Sequence, residues 1–255
     1  MGEPRSGTTL LTQLLDAQPS IRMTTGLLDG AMGASRRMGV ALHAPPSARQ
    51  EHVVRRELER MLAYYGCGDE LGPSRFPSTR AALEAGLERL AAGPDDAAAA
   101  PAFVGSKEHD PHEAALELAQ APRWRVLCLF RDVRDVILSR WYRGEESIDH
   151  YVWRWKRAVR RLGRAGRPGL LCIRFEDLLA EPDRVLRDVG ALLGVPMVAD
   201  SAALRERLAQ TPFDSSHRQR LAPLDPRAAH RWRSHRDEPW VRYASTVAAR
   251  ELRQL

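Results

Sequence analysis

The first residues of the chain contain a motif that favours a bound phosphate. Residues 2–9 read GEPRSGTT, which matches the nucleotide-binding pattern G-x-x-x-x-G-K-[ST] at every fixed position except Thr8, where the pattern has lysine. A glycine-containing turn that enters a helix presents backbone N–H groups and the positive end of the helix dipole. The groups that we expect to bind the phosphate belong to Arg5, Ser6, Gly7, Thr8 and Thr9.

The missing lysine bears on which ligand this loop takes. In nucleoside triphosphatases that lysine reaches the β- and γ-phosphates, so a loop with Thr8 in its place suits a shorter 5′ group. A P-loop nucleotide kinase or ATPase is the alternative enzyme, although the sequence has no clear acidic strand end of the kind that binds magnesium. An ordinary helix-capping turn is the structural alternative.

A second stretch, GSKEHDPH at residues 105–112, groups three titratable side chains: Lys107, Glu108 and His109. Lys107 is one of two lysines in the chain, and its compact ammonium can stabilise a developing oxyanion as a point charge. His109 can act as a general base near neutral pH, and so can Glu108 if it is buried. The alternative is a surface turn with incidental polar residues.

A third stretch, FRDVRDVILSRW at residues 130–141, places an arginine and a hydroxyl eight residues apart. Arg131 falls at the end of an apolar run, and Ser139 lies one turn into a helix if that helix begins near Asp135. The two side chains can then converge on a second anionic group. The alternative is a turn held by ion pairs, in which the carboxylates of Asp132 and Asp135 pair with Arg134 and Arg131.

Alternating strands and helices are predicted to position these three stretches. Short apolar runs near 103, at 124–130 and at 169–175 indicate strands. This order predicts parallel βαβ units in an α/β fold with helices on both faces, and ligands bind at the carboxyl ends of such strands. Helical periodicity is present at 7–17, 49–65, 78–91, 111–120, 134–143, 147–163, 182–193 and 239–253.

Length and composition limit the class of protein. With 255 residues, of which 44% are hydrophobic and 28% charged, we expect one domain over residues 1–255. No apolar run approaches the roughly 18 residues of a membrane span. The opening loop does not resemble a secretory leader, and Cys128 and Cys172 lie in apolar runs that suggest reduced core thiols, so we expect a cytoplasmic protein.

The net charge of +6 suits polyanionic partners in general. Most arginines, however, alternate with glutamates on predicted helices, which is typical of solvated helix faces. Without a recognised module or an aromatic platform, nucleic-acid binding is not favoured. Residues 20–48 are rich in Met, Gly and Ala without a clear period, and we expect either a loop that covers a substrate or a packed irregular connection.

In this order, the three stretches resemble the motifs of sulfotransferases that use 3′-phosphoadenosine 5′-phosphosulfate (PAPS). PRSGTTLL at 4–11 resembles their 5′-phosphosulfate loop, in which a lysine or arginine often stands where Arg5 does. FRDVRDVILSRW resembles their 3′-phosphate motif, which gives Arg131 and Ser139 that role. KEH at 107–109 is similar to their K-x-H sequence, whose lysine contacts the transferring group and whose histidine is the base. Some branches of the family use a glutamate there, so Glu108 competes with His109.

Two later segments extend the resemblance to nearly the whole chain. IRFEDLLAEP at 173–182 is similar to the family's RYEDL stretch, with Phe175 in place of the usual tyrosine that contacts adenine. AHRWRSHRDEP at 229–239 is similar to the G-R-W segment of the broad bacterial type, which makes Arg231 a candidate 3′-phosphate contact. Here the glycine of G-R-W is absent.

The resemblance implies a fold, a reaction and a co-substrate. The fold would be a three-layer parallel sheet of the P-loop nucleotide-kinase kind, with its first strand truncated, because only three residues precede Pro4. The reaction would transfer a sulfuryl group from PAPS, without a metal, to a hydroxyl or amine of a small-molecule or carbohydrate acceptor. A catalytically impaired protein that binds PAPS or the bisphosphate is the alternative that the short start favours.

Overall fold

The chain divides into two compact units, which we call the small unit (residues 12–109) and the large unit (residues 1–11 with 110–255). The predicted single domain stays a prediction. No described helix is long and apolar enough to cross a membrane. The computed structural model describes residues 6–26, 31–33, 38–39, 41–68, 71–72, 75–92, 101–108, 112–141, 147–163, 166–198, 200, 203–204, 206 and 224–254.

Two parallel strands form the sheet of the small unit. In its register Thr25 is opposite Lys107, so the carboxyl ends of the two strands lie side by side. A parallel pair needs a long crossover connection, and the described part of this one includes the helices Ala48–Tyr64 and Thr79–Ala92. The first five elements that we number, in chain order, are α1 (Thr8–Asp16), β1 (Ile21–Thr25), α2 (Ala48–Tyr64), α3 (Thr79–Ala92) and β2 (Phe103–Lys107).

The apolar spacing of α2 explains how the small unit packs. Ser47 caps this helix, because its hydroxyl accepts the Gln50 N–H while the Gln50 side chain accepts the Ser47 N–H. Residues three and four apart share one face of a helix, and α2 and α3 pack against each other through such faces. Their buried residues include Val54, Leu58, Leu62, Ala82, Leu83 and Leu90.

The large unit contains a second parallel pair, β3 and β4, in which Phe130 is opposite Arg174. Helices lie in the connection between these strands and after them. The elements described in this unit are α4 (His112–Leu118), β3 (Val126–Phe130), α5 (Val133–Trp141), α6 (Ile148–Leu162), β4 (Leu170–Arg174), α7 (Phe175–Ala180), α8 (Pro182–Leu193), 3₁₀ turns at Pro226–Ala228 and Arg231–His235, α9 (Pro239–Val247) and α10 (Ala249–Leu252).

Helix α6 supplies much of the core of the large unit. Its buried residues recur at intervals of three and four, which places them on one stripe. Among them, Trp155 donates its indole N–H to the backbone carbonyl of Arg131 at 2.8 Å. The residue that follows β3 is thereby tied to the core. The full set on this stripe is Tyr151, Val152, Trp155, Ala158, Val159 and Leu162.

The predicted α/β class, with parallel strands flanked by helices, is confirmed. Two expectations are wrong. Residues 20–48 are not wholly irregular, because β1 lies within them. Cys128 is a buried free thiol as expected, whereas Cys172 is exposed, because this part of β4 is only partly covered by neighbouring elements.

Candidate functional site

The opening loop bends sharply into α1 at Gly7. Its φ of +93° favours glycine, and a Cβ atom built on it would lie 2.2 Å from Cδ2 of Phe175. Ser6 and Thr8 are buried, and α1 begins at Thr8. The first N–H groups of a helix have no acceptor within that helix, so this turn can present them to an anion. Arg5 lies outside the described residues.

Phe175 connects the loop to the third sequence motif. It is the first residue of α7, directly after β4, and 6% of it is exposed. One part of its ring lies against Gly7, and its centroid is 4.5 Å from the guanidinium carbon of Arg131. Phe175 thus forms a packing contact between the loop and Arg131. A tyrosine, which the family usually has at this position, suggested instead a hydroxyl contact with adenine.

Arg131 follows β3, as predicted, and is largely buried. Its Nη2 donates a hydrogen bond of 2.7 Å to the carbonyl of Ala228 and lies 3.6 Å from Oδ2 of Asp135. These contacts bring a segment from near the end of the chain to the end of β3. They also fix the direction of the guanidinium, which is a condition for bidentate binding of a phosphate.

The ion-paired turn considered above is also present. Arg134 pairs with both carboxylate oxygens of Asp132, at 2.9 Å and 2.6 Å, and Asp135 pairs with Arg131. The Asp132 N–H in turn donates to Glu176 at 3.0 Å. Burial raises the pKa of Glu176, and the hydrogen bond from Asp132 opposes that rise. The turn therefore has a structural function, whether or not Arg131 also binds an anion.

Helix α5 begins at Val133, two residues before the start assumed above, so Ser139 lies nearly two turns into it. Asp135 and Ser139 lie four residues apart on α5 and therefore on one face, whereas Arg131 precedes the helix and pairs with Asp135. Ser139 is half-buried. The convergence of Arg131 and Ser139 on one anion stays a prediction.

Asp135 also contacts the C-terminal segment, which we define as residues 226–235. Its Oδ1 accepts the Trp232 N–H at 2.9 Å. Burial raises the pKa of Asp135, and the charge of Arg131 and, slightly, the nearby backbone N–H of His230 oppose the rise. The side chain of Arg134 lies over the Trp232 ring, with its guanidinium carbon 3.4 Å from the centroid.

The candidate residue Arg231 is in this segment, and it is exposed. Before it, His230 has φ +58° and ψ +26°, the left-handed conformation that glycine adopts at little cost. The family's G-R-W pattern has its glycine at this position. The histidine therefore retains the backbone shape that the missing glycine would favour.

The second motif lies at the end of β2, in the small unit. Lys107 and Glu108 are buried, with 4% and 0% of each residue exposed. The Ser106 hydroxyl donates to Glu108, and the Lys107 carbonyl accepts the Gly26 N–H at 3.0 Å. Glu108 is therefore buried, which is the condition under which the sequence allowed it to act as a general base. His109 lies outside the described residues.

Sequence reasoning missed Asp135, Arg134 and Trp232 as parts of this site. The spacing of four residues from Arg131 to Asp135 and on to Ser139 was the available signal for Asp135. No sequence signal pairs Trp232 with α5, because that contact joins distant parts of the chain. Among the described residues, no group of three or more His, Cys, Asp or Glu side chains is arranged to hold a metal ion.

Several known proteins have a similar fold. The chain resembles the sulfotransferase domain of the Synechococcus PCC 7002 olefin synthase, with 21% identity over 91% of this chain and 85% of that chain and a TM-score of 0.53. The sulfotransferase domain of the curacin biosynthetic pathway is 16% identical over 98% of this chain and 94% of that chain, with a TM-score of 0.56. The Mycobacterium avium sulfotransferase STF9 is 16% identical over 100% of this chain and 75% of that chain, with a TM-score of 0.52.

At these identities the likeness shows a shared fold. No curated protein matches the chain. The model of the sulfotransferase family matches residues 1–200, which is more than half of the sequence. On that match, this chain belongs to the sulfotransferase family.

Proposed function

We propose that this chain transfers a sulfuryl group from PAPS to a hydroxyl or amine of an acceptor and releases adenosine 3′,5′-bisphosphate. The observation that carries the proposal is the position of Phe175 against both Gly7 and the guanidinium of Arg131. Two candidate anion sites that are far apart in sequence are thereby neighbours in the large unit. A ligand with a 5′-phosphosulfate and a 3′-phosphate suits such a pair, whereas a triphosphate does not need the second site.

The residues available fit this donor. In the proposal the 3′-phosphate is bound by Arg131, Ser139 and Arg231, and the aromatic ring of Phe175 supports Arg131 by a cation–π contact. The 5′ group is bound by the first-turn amides of α1 together with side chains of the loop. The loop residues with this role are Arg5, Ser6, Gly7, Thr8 and Thr9.

The residues after β2 would carry the chemical step. His109 or Glu108 takes the proton of the acceptor while the acceptor atom bonds to sulfur. The bond between sulfur and the 5′-phosphate oxygen breaks at the same time, and its electron pair stays on the leaving bisphosphate. Lys107 stabilises the charge that develops on that oxygen. Most of the rate enhancement would come from positioning and electrostatics, as in phosphoryl transfer.

The proposal involves no metal. The acceptor is a small molecule or a carbohydrate, and neither nucleic acid nor a membrane is a partner. The proposed setting is the cytoplasm, which the free thiols of Cys67 and Cys128 support, because both are buried and lack the pairing of secreted proteins.

Calorimetry and a transfer assay test this function. We expect adenosine 3′,5′-bisphosphate to bind more tightly than ATP–Mg²⁺, and radiolabelled PAPS to label at least one member of a panel of hydroxyl and amine acceptors. Arg131→Ala should weaken bisphosphate binding, whereas Arg184→Ala is a control in the same unit, since Arg184 forms partly exposed ion pairs with Glu181 and Asp188. Tighter binding of ATP–Mg²⁺ would favour a nucleotide kinase. Bisphosphate binding without transfer to any acceptor would identify a binding protein.

A further inference from the structure

The C-terminal segment is joined to the start of α5 by contacts from three side chains. Arg131 donates to the Ala228 carbonyl, Arg134 stacks on the Trp232 ring, and Asp135 accepts the backbone N–H of Trp232. Asp135 also faces the Arg131 guanidinium, because its Oδ2 lies 3.6 Å from Nη2. A single carboxylate therefore links an arginine at the end of a strand to a backbone segment nearly a hundred residues later.

The surroundings of Asp135 explain why this link uses a carboxylate. Only 1% of the residue is exposed, and burying a charge is unfavourable unless the charge is paired and hydrogen-bonded. Oδ1 accepts the Trp232 N–H, whereas Oδ2 accepts no hydrogen bond from the described residues and interacts with Arg131 through charge. An apolar residue would fill the space without the desolvation cost, but it could neither attract Arg131 nor accept the Trp232 N–H.

The backbone of the C-terminal segment needs such support. A left-handed backbone conformation is unfavourable for any residue other than glycine. Such a residue keeps this conformation only when contacts with the surrounding structure enforce it. His230 has this conformation, and its N–H lies near the carboxylate of Asp135, which accepts the N–H of Trp232 two residues later. Arg231 follows directly, so its backbone position depends on the turn that Asp135 holds.

We propose that Asp135 is a positioning residue, whose carboxylate aligns the Arg131 guanidinium with the backbone of residues 230–232 and thereby gives the site its preference for a ligand with a 3′-phosphate. This inference rests on the proposed function only for the identity of the ligand. The link between α5 and the C-terminal segment is a property of the protein alone, and it can be measured without a nucleotide.

The test compares wild type with Asp135→Asn, which is close in volume and keeps one acceptor oxygen but lacks the charge. Adenosine 3′,5′-bisphosphate and AMP are titrated in parallel, and the ratio of their affinities reports the contribution of the 3′-phosphate. We expect this ratio to fall by about ten- to a hundredfold in the variant, as for loss of a charged hydrogen-bonding partner, with AMP affinity little changed. Asp188→Asn, which removes a half-exposed carboxylate on α8, is the matched control and should keep the wild-type ratio.

Amide hydrogen exchange without ligand gives the second readout. The N–H groups of His230 and Trp232 should be protected in wild type and exchange faster in Asp135→Asn, while amides of α6 keep their protection. An unchanged ratio, with or without an equal loss of affinity for both nucleotides, would overturn the positioning role, and so would unchanged exchange of these two amides. If the variant does not fold, rapid exchange of these two amides in wild type would overturn it as well.

The two proposals fail in different ways. If wild type does not prefer the bisphosphate over AMP, the 3′-phosphate site and the proposed function are wrong, whereas the exchange data still report on the link. If wild type prefers the bisphosphate and Asp135→Asn does so equally, the proposed function stands and the role of Asp135 is refuted.

Discussion

The polar residues at the end of β2 and those that follow β3 differ in the contacts that hold their side chains. After β3, Arg131 contacts Phe175, Asp135 and the carbonyl of Ala228, which is 97 residues later in the chain. After β2, Glu108 accepts a hydrogen bond from Ser106, only two residues earlier. The proposed donor-binding side chains thus come from distant parts of the chain, whereas the proposed catalytic residues form a short continuous sequence, whose backbone also pairs with β1. We therefore expect substitutions after β2 to change turnover, and substitutions around β3 to change ligand affinity and stability.

The largest effect should come from the base after β2. Replacing the base lowers the rate by about 10²–10⁴-fold, so either His109→Ala or Glu108→Gln should show this loss in kcat with bisphosphate affinity little changed. Single-turnover transfer from radiolabelled PAPS and calorimetry measure the two quantities. Each variant is the control for the other. Wild-type turnover in both, and in Lys107→Ala, would remove the catalytic role from this stretch.

A smaller effect is expected at Gly7, on the donor-binding side. Gly7→Ala combines an unfavourable left-handed backbone with a Cβ that meets the Phe175 ring, and we expect it to lower the free energy of unfolding by about 2–5 kcal/mol and to weaken bisphosphate binding. The matched control is Gly194→Ala, because Gly194 has φ +71° with open space around it and should cost only about 1–2 kcal/mol. Denaturant unfolding measures both. Equal losses in the two variants would mean that contact with Phe175 does not restrict Gly7.

The smallest effect concerns the sheet beneath Arg131. Cys172 is exposed as a whole residue, but its sulfur lies 3.6 Å from the Leu162 carbonyl. The partial burial of the thiol there, together with the neighbouring Cys128, raises its pKa to about 12. The native thiol stays protonated where an unfolded thiol, with a pKa of about 8.5, has ionised. Unfolding then releases a proton, so this group should make stability fall as pH rises from about 8.5 towards 12. Cys172→Ser should flatten that fall, and alkylation of Cys172 at pH 9 should be slower in native than in denatured protein. Equal alkylation rates would contradict the raised pKa.

Local patterns predicted most of the described helices to within a few residues. The apolar stripe in α6 depends on neighbours three and four residues apart, which a sequence displays directly. Strand β1 was missed because IRMTT has no clear alternation of apolar and polar residues, and its partner, β2, lies about eighty residues later. Cys172 was placed in the core because its apolar run could not reveal which neighbours cover β4.

Several features could be read from the sequence alone: the α/β class, the glycine turn at Gly7, the grouping of Lys107, Glu108 and His109, and the spacing of Arg131 and Ser139. These are local features, since each follows from residue types within one turn, strand end or helix. The packing of the chain adds that Phe175 lies between Gly7 and Arg131, and that Asp135 accepts the Trp232 N–H. Such contacts join segments far apart in the chain, and their geometry follows from how the strands and helices pack.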